Sequence, residues 1–91
     1  MSISLNDLKV GNLYRWVPTD YRPWARPFFN VVDLNRSGHG RGDRPKADQI
    51  IMYLGRENIG SLDAHIFLID DQKFAVNSSY NDDFQHGLRV L

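Results

Sequence analysis

No stretch of ten or more residues repeats its apolar side chains with a helical period, and this absence constrains the fold more than any other feature. Aromatic and β-branched residues come instead in short runs, cut by glycine, proline or polar clusters at intervals of about 8 to 15 residues. Six runs read as strands, at 13–17, 28–34, 49–54, 64–69, 73–76 and 88–91. Ser4 to Gly11 and Asn77 to Gly87 each carry a capped single helical turn closed by glycine. The pattern predicts an all-β domain, a five- to six-stranded small barrel with one or two single helical turns. Pairing of the last strand with the first would close the sheet and protect its edges.

The whole chain of 91 residues is expected to be one domain, because a second core would need more sequence. With 42% hydrophobic and 12% aromatic residues it can bury a core, so intrinsic disorder is excluded as its default state. Apolar runs such as Ile66 to Ile69 are far too short to span a bilayer, and the N-terminus has no charged-then-apolar signal pattern. The absence of cysteine removes disulfides, thiolate metal sites and cysteine nucleophiles, and suits a reducing cytoplasm. A soluble, cytoplasmic protein without membrane association is the expectation.

Lys9-Val10-Gly11 before the first strand, a long first loop, a tight hairpin at Asp70-Asp71 and a single turn before the last strand together resemble the SH3-like small barrels. The resemblance is one of layout and spans residues 5–91. The Ala-Leu-Tyr opening of peptide-binding SH3 domains and the proline of their closing turn are missing, so polyproline binding is not carried over. What the layout implies is that ligands, usually protein or nucleic acid, meet loops and exposed strand faces, and that catalysis is rare.

Two loops hold the candidate contacts. Residues 18–27 are too rich in proline for a helix or a central strand, and around them Arg15, Tyr21, Arg22, Trp24 and Arg26 alternate guanidinium groups with large aromatic faces. That pairing of residue types dominates protein–protein hot spots and also serves base stacking with phosphate contact. Residues 35–48 contain Gly38, Gly40, Gly42 and Pro45 and almost no apolar side chain, so they read as a flexible Gly/Arg-rich loop offering Arg41, Arg44 and Lys46. Solvated loops carrying core or rim aromatics are the bland alternative in both places.

Net charge is zero, yet residues 1–46 hold eight basic against four acidic side chains and residues 47–91 hold three against seven. Without a global positive field, nucleic-acid binding ranks second to protein binding. Residues 50–54 and 66–69 are apolar at odd and even positions alike. One set must face inward, and the other must be covered by loops, a second subunit or a partner. Tyr53 joins the candidate contacts on this ground.

His39, His65 and His86 match no metal-ligand spacing, and neither a Gly-x-Ser-x-Gly elbow nor a phosphate loop is present. Asp70-Asp71 and Asp82-Asp83 sit in turns, where solvent leaves both carboxylates ionised. The expectation is therefore a non-enzymatic interaction module, an adaptor, inhibitor or assembly subunit, binding another protein or itself without cofactor or metal. The alternative is a nucleic-acid-binding barrel that uses the basic loops for phosphates.

Overall fold

The computed structural model describes residues 5–17, 28–37, 42–43, 45–78 and 87–91. A 3₁₀ turn at Leu5–Asp7 precedes strand β1 (Leu13–Trp16), followed by β2 (Phe28–Asn30), helix α1 (Val31–Ser37), β3 (Gly42–Asp43), β4 (Ile50–Ile59), β5 (Leu62–Ile69), β6 (Gln72–Asn77) and β7 (Leu88–Val90). All strands belong to one antiparallel sheet in the order β3-β2-β6-β5-β4-β1-β7. The chain is thus an all-β domain, as expected, with six strands of three residues or more and the two-residue β3 at one edge. Among the described residues no helix is long and apolar enough to cross a membrane.

β4, β5 and β6 form a meander through two tight hairpins. Asp70 and Asp71 link Ile69 to its partner Gln72 with φ of 49° and 67°, the pair of positive values that a type I′ turn demands and that matches the twist of the flanking strands. At the other hairpin Gly60, at φ 64°, begins the link between Ile59 and Leu62. Between Tyr53 and Gly55 the register slips by one residue, so Leu54 is extra in β4.

The sheet curls into a half-barrel. Three strands, β6, β5 and β4, separate β2 from β1. In a flat sheet that separation would be roughly 19 Å. Instead, the Trp16 and Phe28 rings meet edge to face with centroids 5.6 Å apart. Phe28 also meets Phe67 and Phe74 edge-on, and Tyr53 lies against Phe67. This aromatic spine, with Leu5, Tyr14, Ile51, Ile69, Val76 and Leu88, fills the concave side. The expected pairing of last strand with first is present as β7 on β1, but it leaves β7 at one edge and β3 at the other, so the sheet stays open.

Residues 28–34 are not one strand. β2 ends at Asn30, whose Oδ1 accepts hydrogen bonds from the Val32 and Asp33 amides at 2.9 and 3.4 Å. Asn30 is an N-cap, and satisfying those otherwise orphaned donors turns the chain into α1. The helix lays Val31 and Leu34 on the convex face of the sheet, against Ala64, Ile66 and Ala75 together with Leu54, Ile59 and Leu62. This resolves the two-sided apolar pattern of β5: Phe67 and Ile69 enter the concave core, and Ala64 and Ile66 lie under the helix. The span 35–48 is correspondingly more regular than a flexible loop, since α1 runs to residue 37 and β3 pairs with β2 through Phe28 with Asp43 and Phe29 with Gly42.

Candidate functional site

At one end of the half-barrel the core opens to solvent in a cleft of about 250 Å³ lined by Phe28, Ile69 and Phe74 and by Pro45, Lys46, Gln49, Asp70 and Gln72. Three strands supply the apolar floor. The polar rim comes from the segment leading into β4 and from the β5–β6 turn. Two main-chain bonds hold the first of these in place: Trp16 N–H donates to Gln49 O and Asp48 N–H to Trp16 O, both at 2.8 Å. Asp48, at φ 60°, makes the reversal this requires, and Gln49 N–H closes it onto Lys46 O at 3.1 Å. Across the rim Gln49 Nε2 reaches Asp70 Oδ1 at 3.4 Å, and Asn30 Nδ2 donates to Gln72 Oε1 at 3.1 Å. An exposed lysine and an exposed aspartate thus stand over an aromatic floor, an arrangement able to take an apolar side chain and read its polar neighbours.

Lys46 is the expected contact residue that the structure places at this cleft. Arg15 is exposed on the convex face of β1, directly opposite Arg89 of β7. Tyr21, Arg22, Trp24, Arg26, Arg41 and Arg44 lie outside the described residues, as do His39 and His86.

Tyr53 is a correction. It points into the core at 5% exposure, with its hydroxyl 2.8 Å from His65 Nδ1, and no partner can reach it without opening the sheet. The sequence reading assigned it outward because both faces of β4 are apolar. In the fold Ile51 and Tyr53 face in, and Ile50 is exposed.

His65, buried at 2% exposure, completes a polar group at the other end of the concave side. Burial first, then the Arg56 charge, holds its pKa below the ordinary imidazole value, with Asp63 opposing. Burial likewise raises the Tyr53 phenol. Nearby, Arg56 grips Asp63 through Nε to Oδ1 and Nη2 to Oδ2, and Ser78 Oγ donates to Oδ2 at 3.5 Å. That fork lowers the Asp63 pKa and keeps it a carboxylate. Acid and base are therefore partitioned, the imidazole held by Tyr53 and the carboxylate by Arg56. Among the described residues no group of three His, Asp or Glu side chains converges on a metal position.

Phe28, Phe74, Gln49 and Gln72 belong to the site and escaped the sequence reading. Their joining depends on the β2–β6 pairing, which nothing local announces. Compared with protein-family models, with curated proteins and with solved structures, the chain finds no match.

Proposed function

We propose that the chain is a non-enzymatic protein-interaction module of the cytoplasm, built on an SH3-like barrel layout, that seats an apolar side chain of a partner protein in the cleft over Phe28, Ile69 and Phe74. The carrying observation is the cleft itself: about 250 Å³, open to solvent, aromatic below and rimmed by Lys46 and Asp70. A volume of that size suits one large side chain and is below the usual range for a drug-sized ligand, about 300 to 1,000 Å³. Charges of both signs at the rim suit a polypeptide better than a phosphate backbone, which would gain from Lys46 and lose at Asp70.

The test is recovery of partners by the tagged protein from lysate of its source, with and without nuclease, for the natural chain and for Lys46→Glu and Gln72→Arg. A defined protein that survives nuclease and is reduced at least tenfold by either rim substitution supports the reading. Loss of everything recovered on nuclease treatment would install the nucleic-acid alternative, which uses Arg15 and Lys46. Recovery indifferent to both substitutions would remove the cleft from the interface.

A further inference from the structure

The outer edge of β7 is built to accept another strand. Trp16 N–H donates to Gln49 O, and Tyr53 N–H donates to Asn12 O. Even-numbered residues of β1 therefore bond toward β4. Val17 N–H donates to Gly87 O at 2.7 Å, so odd-numbered residues bond toward β7. With Tyr14, Arg15 and Trp16 opposite Val90, Arg89 and Leu88, it follows that Arg89 exchanges main-chain bonds with Arg15 while the N–H and C=O groups of Leu88 and Val90 point away from the sheet. β7 is the last strand in the order, and no described residue pairs with its outer side.

One of those outward acceptors already has a donor: Arg89 Nη1 bonds to Leu88 O at 2.9 Å. A strand's own arginine folded over its own edge is a guard against indiscriminate pairing. Beside the edge lies a shallow groove of about 510 Å³ whose walls include Leu13, Tyr14, Val90 and Leu91. Val90 and Leu91 are 66% and 60% exposed there.

We infer that β7 adds an extended segment of a partner protein that carries an acidic residue opposite Arg89, flanked by apolar residues. The register decides the charge. Arg15 and Arg89 stand directly across from each other on the convex face, and like charges in that relation repel. A carboxylate on the added strand continues the row beside both guanidinium groups, and Arg89 moves from Leu88 O to meet it, which frees that carbonyl for the incoming amide. Neighbouring residues of the added strand fall on the Leu88 and Val90 side, where the groove is apolar. A second copy of this chain is the wrong occupant, because pairing two β7 strands about their centres would align four arginines. The inference rests on the protein-binding reading but uses a different surface from the cleft.

The experiment uses the full chain and three synthetic eight-residue peptides, alternately Val and Thr with Glu, Gln or Lys at one central polar position. Affinity is read by fluorescence anisotropy at low and high salt, and location by amide shifts and hydrogen exchange of Leu88 and Val90. The Glu peptide is expected to bind at least tenfold tighter than the Lys peptide at low salt, to protect both amides, and to lose most of that preference in 0.5 M salt. Arg89→Glu reverses the order of the Glu and Lys peptides, and Arg89→Gln makes them equal. Lys46→Glu leaves all of this unchanged, so failure of the cleft reading and failure of this one are separately visible. Equal affinities for the three peptides, binding that leaves the Leu88 and Val90 amides unprotected, or dimerisation of the free chain through β7 would overturn the inference.

Discussion

The Tyr53 hydroxyl and His65 Nδ1 meet at 2.8 Å across the β4–β5 ladder, in a core where every other fully buried side chain is hydrophobic among the described residues. Each is the other's partner, so removing one leaves a buried polar group alone. Tyr53→Phe should cost about 1 to 3 kcal/mol, while Tyr53→Phe with His65→Phe, which removes both partners, should recover most of it. Urea unfolding of the two variants checks this; equal losses would show that the hydrogen bond is not the source.

The same histidine sets a pH dependence. Its folded pKa lies below the value near 6.5 of the unfolded chain, so the unfolded state binds the proton first. The stability it contributes is complete above about pH 6.5 and is lost as pH falls from there toward the folded value. Urea midpoints measured from pH 8 down to 5 should decline below 6.5, and the Tyr53→Phe, His65→Phe double variant should decline less. Identical slopes would place the proton uptake elsewhere.

Gly87 has its missing side chain against Trp16. A Cβ there would sit 2.9 Å from Cη2 and 3.0 Å from Cζ2 of the indole, well inside contact distance, and the ring is packed at 2% exposure between Phe28 and its neighbours. Gly87→Ala should therefore destabilise the protein by about 1 to 3 kcal/mol, as overpacking does. A midpoint equal to that of the natural chain would show that the indole can move aside.

Asn30→Ala removes the acceptor for the Val32 and Asp33 amides and should cost about 0.5 to 2 kcal/mol. Asn30→Asp keeps the cap and should stay close to the natural protein. Because α1 covers Ala64, Ile66 and Ala75, the alanine variant should also bind a hydrophobic dye more strongly. Unaltered dye binding with an unaltered midpoint would mean that packing alone holds the helix.

Asp71 occupies the second positive-φ position of the β5–β6 turn, where glycine meets no Cβ penalty. Asp71→Gly should raise stability by about 0.5 kcal/mol, because the left-handed cost disappears. Thermal unfolding measures it, and a lower melting temperature would show that the carboxylate does something in the turn beyond occupying it.

These residues also show where sequence reading succeeds. The β5–β6 hairpin was legible because two aspartates lie between runs of apolar residues, and turn chemistry is local. α1 was not, since Val31 and Val32 favour strands intrinsically and the deciding bond comes from Asn30 to amides two and three residues on. Tyr53 was misassigned because, where both alternating sets are apolar, period alone does not choose the inward one. Lys46 was found by its basic loop, while the floor beneath it gathers Phe28, Ile69 and Phe74 from strands brought together only by tertiary pairing.

The sheet order also dictates when the structure can form. β1 sits between β4 and β7, its Tyr14 paired with Ile51 on one side and Val90 on the other. As a ribosome delivers the chain, this early segment has no strand to join until more than half of the protein has emerged, and it lacks its second neighbour until the end. The β4–β5–β6 meander closes by short loops and is free to form first, since small loops cost the least entropy to close. Until then Tyr14 and Trp16 travel exposed, two large aromatics awaiting distant partners, which makes nascent chains of this protein natural clients for chaperones.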